Sequence, residues 1–232
     1  MVALVTGSSR GIGKELIINL AKRNYDVIIT YNNNKSDADN LKNIINNDYN
    51  VKAFSIKCDI SKEEDINNLK NFIIEEYGKL DVLINNAALS MDNYIDEKSK
   101  EEFMKVLEVN VVGTFLVTKY LYKYMDNGII INISSTDSED TYSVINIDYS
   151  CSKAGINILT KTFALDFKNI KVIGVMPNWT NTESIREMNQ EFLESELKRI
   201  GQKELEDPKE VAEKILKLAF DKNVKSGEIR RV

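Results

Sequence analysis

The chain has 232 residues, of which 43% are hydrophobic and 29% charged, and this balance is typical of one soluble globular domain. Its formal net charge is -5 and it has no clustered basic run, which argues against a nucleic acid or an anionic membrane surface as the main partner. Histidine is absent, so Ser-His-Asp and Cys-His triads and histidine-ligated metals are excluded, and we predict no metal site.

The cysteines and the amino terminus bear on the cellular compartment. Cys58 and Cys151 lie far apart in different predicted elements, which favours neither a disulfide framework nor a zinc site. No apolar run approaches the roughly 18 residues that a membrane span needs. The first predicted strand begins at Val2, which leaves no room for a targeting peptide. We therefore expect a cytoplasmic protein.

The first stretch of the chain predicts a strand, a tight turn and a helix. Residues 2–5 are apolar, glycines punctuate the turn, and Ile12, Leu16 and Leu20 recur at helical spacing. This order leaves free backbone N–H groups at the start of the helix, where they form an anion site. In a doubly wound sheet such a site usually holds the pyrophosphate of a dinucleotide.

Strand and helix patterns alternate along the rest of the chain. Helices are predicted to begin at Ser36, Ser61 and Ser99, each followed three residues later by an acid that completes a capping pair. Two long helices are predicted over 99–125 and 148–167. Further strands are predicted over 25–31, 51–56, 80–84, 129–133 and 171–176, with a short last strand or tail over 227–232.

This alternation predicts an α/β fold, a Rossmann-type doubly wound parallel sheet flanked by helices on both faces, in a single domain over residues 1–232. The alternation of strand and helix patterns ends after the strand over 171–176. Residues 178–201 contain no predicted strand but do contain an amphipathic segment. We interpret this segment as a substrate lid, because a long excursion after the carboxyl end of a strand lies over the ligand crevice.

Candidate catalytic residues lie on two predicted helices and one strand end. Tyr149 and Lys153 are one helical turn apart, and a cation beside a phenol lowers the phenol pKa from about 10. Ser134 and Ser135 close the strand over 129–133 at the crevice edge. Asn110 lies among valines in mid-helix, where an amide needs a buried partner, either in an active site or in an ordinary core.

The T-G-x-x-x-G-I-G motif from Thr6, together with these residues, resembles the short-chain dehydrogenase/reductase family, and 3-oxoacyl-acyl-carrier-protein reductases look closest. The resemblance implies hydride transfer between nicotinamide and a carbonyl carbon. It implies that Ser135, or alternatively Ser134, holds the substrate oxygen and that Tyr149 is the general acid or base. It further implies that Lys153 binds the nicotinamide ribose and lowers the tyrosine pKa, and that Asn110 anchors a water relay.

The resemblance also implies a set of cofactor-binding positions. Two family glycines are replaced, by Ala88 and by Asn178, and asparagine tolerates the left-handed backbone region that glycine favours. The single tryptophan, Trp179, is expected beside the nicotinamide, and Thr182 is expected to bind its carboxamide. The implied cofactor residues are Gly7, Ser9, Arg10, Gly11, Ile12, Gly13, Tyr31, Asn32, Asp59, Ile60, Asn86, Ala87, Tyr149, Lys153, Pro177, Thr180 and Thr182.

The choice between NADP and NAD depends on charge at the end of the second strand. NAD sites usually place an acid there, whereas the 2′-phosphate of NADP needs a cation. The segment from Tyr31 to Lys35 has no acid, Arg10 lies in the glycine turn, and Lys35 is close by in sequence. NADP(H) is therefore favoured, and NAD(H) is the alternative.

These observations predict an NADP(H)-dependent oxidoreductase that reduces a carbonyl to an alcohol, or the reverse. One substrate candidate is a 3-oxoacyl group on acyl carrier protein, although residues 165–168 are not notably basic, as docking of that partner requires. The alternatives are a small sugar, polyol or diketone, or a regulator that binds a dinucleotide without turnover. The apolar surfaces of the two long helices predict a homotetramer, or a homodimer if the short carboxyl terminus cannot build a second interface.

Overall fold

One parallel sheet forms the centre of the computed structural model, which describes all 232 residues. Its strands run in the spatial order β3-β2-β1-β4-β5-β6-β7, so the order reverses between β1 and β4. The predicted doubly wound α/β fold is confirmed. The strands are β1 (Val2–Val5), β2 (Asp26–Tyr31), β3 (Ala53–Lys57), β4 (Val82–Asn85), β5 (Ile129–Ile133), β6 (Lys171–Met176) and β7 (Ile229–Arg231).

Helices connect the strands and cover both faces of the sheet. The side chains of β1 alternate between two buried clusters, with Ala3 and Val5 on one face and Val2 and Leu4 on the other. The helices are α1 (Gly11–Lys22), α2 (Lys35–Asp48), α3 (Glu63–Tyr77), α4 (Lys100–Leu107), α5 (Thr114–Leu121), α6 (Ile147–Asp166), α7 (Glu183–Arg186), α8 (Gln190–Ile200) and α9 (Pro208–Phe220).

The predicted helix starts are right at one position and wrong at two. Ser99 and Glu102 form a reciprocal capping box at the start of α4, as predicted. Ser36 is instead the second residue of α2, and no side chain caps that helix. Ser61 precedes the cap position of α3 and donates its hydroxyl to Asp59 at 2.7 Å. A nearby carboxylate can therefore satisfy a serine hydroxyl that would otherwise cap a helix.

The predicted long helix over 99–125 contains a π-helical segment, Glu108–Gly113, between α4 and α5. Gly113 packs on the loop after β3, because a Cβ atom there would lie 2.9 Å from two side-chain carbons of Ile60. A π turn holds one more residue than an α turn and often marks a functional position. Here it contains Asn110, whose side chain is buried.

Two short helices, α7 and α8, occupy the segment over 178–201 that follows β6. No regular strand forms there, although Thr180 makes an isolated parallel bridge with Glu206. Leu193 and Glu196 of α8 are buried against the rest of the molecule. None of the helices combines the length and apolar character that crossing a bilayer requires.

Candidate active site

The glycine turn lies at the carboxyl end of β1, next to the point where the strand order reverses. Gly7 and Gly11 have φ values of +60° and +56°, a backbone region that L side chains rarely adopt. Gly13 is needed for close packing, because a Cβ atom there would lie 2.6 Å from Asn86 Nδ2 and 2.8 Å from the Gly7 carbonyl oxygen. Gly7 and Gly11 therefore shape the turn, and Gly13 allows it to pack closely.

Side chains from neighbouring strands fix this turn. The Asn86 amide donates to the carbonyl oxygens of Thr6 and Gly7 at 2.9 and 3.0 Å. Thr6 Oγ1 accepts the backbone N–H groups of Asn86 and Ala87 at 2.9 and 3.0 Å. Asn86 was predicted as a cofactor contact, and in the structure its amide binds the turn. It holds the loops after β1 and β4 together.

A cleft of about 560 Å³ runs along the glycine turn, within the usual volume range of small-molecule sites. Helix α1 begins in this cleft with no acidic residue in its first turn and no side-chain cap, which leaves its first N–H groups available for an anion. The predicted cofactor residues that line the cleft are Gly7, Ser9, Arg10, Gly11, Ile12, Gly13, Tyr31, Asn32, Asp59, Ile60, Asn86, Ala87 and Thr182.

A second compartment of about 280 Å³ contains the predicted chemical groups. Tyr149, Lys153 and Ser135 line it, as do the remaining predicted cofactor residues, Pro177 and Thr180. The two spaces are adjacent, because they share the lining residues Ile12, Asn86, Ala88, Thr182 and Ser184. A path therefore connects the glycine turn with the phenol of Tyr149.

The three side chains around the reacting position differ in how they are held. The phenol of Tyr149 lines the compartment together with the Ser135 hydroxyl. Lys153 is buried, and its Nζ donates to the Ile133 carbonyl oxygen at 2.8 Å. The same Nζ lies 5.2 Å from the centroid of the Tyr149 ring, over its face. The ammonium thus contacts the ring face and the end of β5.

The predicted lowering of the Tyr149 pKa is wrong for the protein alone. Removal of water from around the phenol raises its pKa, and the negative charges of Asp137 and Asp92 raise it further, against a lowering by the nearby Ser135 hydroxyl. Burial also lowers the pKa of Lys153 to about 8, which the charge of Asp137 partly offsets. The prediction considered the lysine alone and missed burial and the two carboxylates.

Asn110 is linked to the site through its neighbours. Its Nδ2 donates to the Leu89 carbonyl oxygen and to Ser152 Oγ, both at 2.9 Å, and its Oδ1 accepts the Leu89 N–H at 2.7 Å. Ser152 precedes Lys153 on α6 and donates its hydroxyl to the Tyr149 carbonyl oxygen at 2.7 Å. Asn110 therefore joins the loop after β4 to the helix that carries the phenol and the ammonium.

The two serines at the end of β5 have different partners. Ser134 Oγ donates to the Lys153 carbonyl oxygen at 3.0 Å, which fixes the serine against α6. Ser135 Oγ accepts the Asp137 N–H at 3.1 Å, which leaves its own O–H free to donate into the compartment. The geometry favours Ser135 over Ser134 as the group that contacts a substrate oxygen.

Asn178 avoids the left-handed backbone region anticipated for it. The only non-glycine residues with positive φ are Asn24 and Asn127. The Asn178 side chain instead accepts the Trp179 N–H at 3.0 Å and the Thr136 hydroxyl at 3.1 Å. These bonds hold the loops after β5 and β6 together where a family glycine is replaced.

Sequence analysis missed a buried carboxylate in the compartment, Asp137, which is 4% exposed. Its oxygens accept from Thr141 Oγ1 at 2.8 Å and Asn146 Nδ2 at 3.0 Å, and Trp179 lines the same compartment. Burial raises the pKa of Asp137, while these donors lower it. The sequence did contain a signal for this carboxylate, because an acidic residue two positions after Ser135 follows a strand that ends at a crevice.

Two ion pairs, also missed, support the loops of this compartment. Arg199 of α8 binds Glu196 and donates to the Tyr142 carbonyl oxygen at 2.8 Å, which ties α8 to the loop after β5. Lys98 Nζ binds Asp148 Oδ2 at 3.0 Å, with side chains only 4% and 0% exposed. Asp148 directly precedes Tyr149, and its partner lies in the loop after β4.

The residues present fit a dinucleotide. A Cβ atom on Gly11 would lie 3.3 Å from Thr182 Cγ2, so the absence of a side chain here keeps the space between the turn and Thr182 open. The uncapped start of α1 suits the pyrophosphate, and the loop after β3 contributes Asp59 and Ile60. No group of histidine, cysteine or acidic side chains is arranged as a metal site.

The comparisons agree with this geometry. A family model described as short chain dehydrogenase matches residues 1–192. Glucose 1-dehydrogenase 2 of Bacillus subtilis is 37% identical over 218 residues, covering 90% of this chain and 84% of that protein. A 3-oxoacyl-acyl-carrier-protein reductase of Aquifex aeolicus is 34% identical over 225 residues, covering 95% of this chain and 90% of that protein.

Solved structures match over the full chain. A dehydrogenase/reductase from Sinorhizobium meliloti has a TM-score of 0.92 and 28% identity, covering 100% of this chain and 92% of that chain. A short chain dehydrogenase from Burkholderia cenocepacia, crystallised with NADP, shares the fold with a TM-score of 0.92 at 24% identity, covering 100% and 95%. This chain therefore belongs to the short-chain dehydrogenase/reductase family of oxidoreductases, as the sequence motifs predicted.

Proposed function

We propose that this protein is an NADP(H)-dependent reductase that converts a carbonyl group into an alcohol, or catalyses the reverse oxidation. The observation that supports this proposal is the meeting of Tyr149, Ser135 and Lys153 in a compartment that adjoins the glycine-turn cleft. A protein that only bound a dinucleotide would have no use for this arrangement. Bound nicotinamide would supply the hydride.

Each side chain has a proposed role in the reduction. Ser135 donates its free O–H to the substrate carbonyl oxygen and holds it near the phenol. Tyr149 transfers its proton to that oxygen as hydride reaches the carbonyl carbon, so that one hydride and one proton produce the alcohol. Lys153 binds the nicotinamide ribose, and its positive charge stabilises the phenolate that remains.

Asn110 and the lid complete the proposed machinery. Asn110 holds α6 through Ser152 and would anchor a water relay behind Lys153 that returns a proton to the phenolate. Residues 178–201 would close over bound substrate as a lid, since Ile185 and Met188 from this segment line the compartment.

NADP(H) is the proposed cofactor, with NAD(H) as the alternative. Arg10 and the neutral Asn32 and Asn33 line the cleft near the expected 2′-phosphate, while no carboxylate extends from the end of β2. Lys35 does not line the cleft; it is the first residue of α2. Arg10 is therefore the proposed phosphate contact.

The substrate candidates follow from the relatives and the compartment. One relative is named for a 3-oxoacyl group on acyl carrier protein and another for glucose. A small sugar, polyol or diketone therefore stands beside the carrier-bound acyl group as a candidate. All of these use the same proton and hydride transfer.

The test measures NADPH oxidation with a panel of ketones, for the wild type and Tyr149→Phe. We expect the variant to lose about 10²–10⁴-fold in kcat, because it removes the proton donor. Its NADPH affinity should be unchanged, measured by quenching of the single Trp179. A wild type that binds NADPH tightly yet reduces no ketone would indicate a dinucleotide-binding regulator instead.

A homotetramer, or alternatively a homodimer, is proposed in the cytoplasm. Apolar side chains on α5 and α6 are exposed, including Phe115, Ile158 and Leu165 at 40%, 62% and 84%. Tyr122, Phe163 and Phe167 stack beside them. Analytical ultracentrifugation would measure the mass, and a monomer at micromolar concentration would contradict this assembly.

A further inference from the structure

Asp137 forms part of the compartment wall close to the reacting position. Its backbone N–H binds Ser135 Oγ, and its carboxylate accepts from the side chains of Thr141 and Asn146. A carboxylate offers about four acceptor positions, so these two donors leave acceptor capacity for a bound molecule. A buried acceptor with a free position is best satisfied by a donor on the substrate.

The compartment as a whole carries an excess of negative charge. Asp92 lies exposed at its mouth, where its carboxylate accepts the Ser90 hydroxyl at 2.5 Å. Both carboxylates are close enough to influence the phenol of Tyr149. Lys153 is the only cation that lines the compartment, and it faces the Ile133 carbonyl oxygen and the phenol ring. A carboxylate on the substrate would therefore meet repulsion.

Another part of the compartment wall is apolar. Ile185 and Met188, both half-buried, come from the segment over 178–201 and present apolar surface. A substrate in this space would place its carbon skeleton against these side chains and its polar groups toward Asp137. A saturated acyl chain beside Asp137 would instead exclude solvent from the carboxylate without providing a new donor, which is costly.

We propose that Asp137 is a specificity-determining residue that selects neutral substrates with a hydroxyl group next to the carbonyl, and that the compartment rejects carboxylates and plain alkyl ketones. This inference rests on the proposed function. It narrows the substrate class to small hydroxyketones and the polyols they form. A site built around a substrate hydroxyl discriminates strongly against analogues that lack it, because its own buried polar group is then unpaired.

Three small probes that share an acetyl group test this selection. They are hydroxyacetone, 2-butanone, which has a methyl group in place of the hydroxyl, and pyruvate, which has a carboxylate. We expect wild-type kcat/KM to favour hydroxyacetone over each of the other two by at least about tenfold. Quenching of Trp179 measures binding of the same probes without turnover, since Trp179 lines the compartment together with Asp137.

Variants separate hydrogen bonding from charge. Asp137→Asn should bring the hydroxyacetone to 2-butanone ratio below about threefold in both turnover and binding, because the strong charged acceptor is lost. Asp92→Asn should relieve the rejection of pyruvate but leave the hydroxyl preference intact. Asp140→Asn is the matched control, because Asp140 is exposed on the same loop, pairs with Arg231 and lies outside the compartment.

The outcomes distinguish this inference from the proposed function. Equal binding and turnover of the three probes by the wild type would overturn the assignment of Asp137. So would unchanged ratios in a folded Asp137→Asn variant; if that variant does not fold, the wild-type ratios and Asp92→Asn decide. Selective binding of hydroxyacetone with no turnover of any ketone would support the assignment and overturn the proposed reductase activity.

Discussion

The proposed cofactor cleft and the proposed substrate compartment are built in different ways. The first contains a backbone turn, with glycines at Gly7, Gly11 and Gly13, and the open start of α1. The second contains side chains from α6 and several loops, including the buried charges of Lys153 and Asp137. The comparison teaches that the proposed phosphate site depends on local backbone shape, whereas the proposed substrate site depends on partners distant in sequence.

The largest expected effect tests whether the stability of the loops around the proposed substrate compartment depends on a buried ion pair. Lys98→Met leaves Asp148 buried without its partner, which we expect to lower the free energy of unfolding by about 3–5 kcal/mol in urea denaturation. Lys105→Met is the control, since the pair of Lys105 with Glu108 is about half exposed and should contribute about 0–1 kcal/mol.

A double variant sharpens this prediction. Replacing both partners, with Lys98→Met and Asp148→Leu, should recover part of the lost stability, because no charge is then buried alone. A loss for Lys98→Met as small as that for Lys105→Met would contradict a buried pair and weaken the contrast between the two regions.

The pH dependence of stability tests the other buried cation. The pKa of Lys153 is about 8 in the folded protein against an ordinary value of 10.5. Between these values the unfolded chain holds a proton that the folded chain releases, so stability should rise with pH, by about 3 kcal/mol over the full interval. Urea denaturation of the protein without cofactor, from pH 8 to 10, measures the rise.

Lys153→Met provides the comparison for this measurement. The difference in unfolding free energy between wild type and variant, taken at each pH, isolates the contribution of the lysine. Tyrosine and cysteine groups ionise in the same range or above it, and their contributions cancel in this difference. The rise should be missing from the variant. Parallel curves for the two proteins would show that Lys153 keeps an ordinary pKa and is well solvated.

A smaller effect tests the close packing of the backbone in the glycine turn of the proposed cofactor cleft. Gly13→Ala introduces a Cβ atom 2.6 Å from Asn86 Nδ2 and 2.8 Å from backbone atoms, so the turn must shift. We expect a loss of about 1–3 kcal/mol in unfolding free energy and weaker NADPH quenching of Trp179. Gly78→Ala is the control, because Gly78 has a φ of +67° but open space around it.

The control separates strain from crowding. Gly78→Ala should cost about 1 kcal/mol through backbone strain alone and leave NADPH affinity unaltered. If Gly13→Ala binds NADPH as tightly as the wild type, the close packing of the turn on Asn86 has no role in cofactor binding.

The smallest expected effect concerns the choice of cofactor. Arg10→Ala should reduce the preference for NADPH over NADH, as the ratio of kcat/KM values, on the order of tenfold, because a charged hydrogen bond to the 2′-phosphate is lost. Lys35→Ala should change the ratio less, since Lys35 does not line the cleft. A wild type that prefers NADH would refute the assignment.

The same contrast explains what the sequence could predict. The fold and the glycine turn follow from short-range patterns, and β1, β5 and β6 begin and end at the predicted residues. Ser99 was predicted correctly as a cap because its partner, Glu102, is three residues away. Ser61 was not, because Asp59 competes for its hydroxyl.

The electrostatics of the compartment could not be predicted in this way. The pKa of Tyr149 depends on burial and on the charges of Asp137 and Asp92, and Asp92 is 57 residues away in sequence. The pair of Lys98 with Asp148 spans 50 residues and has no local pattern. Such contacts depend on how the loops after separate strands pack together. The periodicity of apolar residues in the sequence contains no information about that packing.

The π-helical segment has a consequence for how the two regions stay aligned. An α-helix turns by about 100° per residue, so the additional residue in the π turn rotates everything after it by about that angle relative to α4. Within this one segment, Asn110 reaches the loop after β4 and Ser152, while Gly113 packs on Ile60 beside the cofactor cleft. Removing one residue from Glu108–Gly113 would therefore misalign Gly113 with Ile60 and Asn110 with Ser152 of α6 at the same time, which a crystal structure of that deletion variant would reveal.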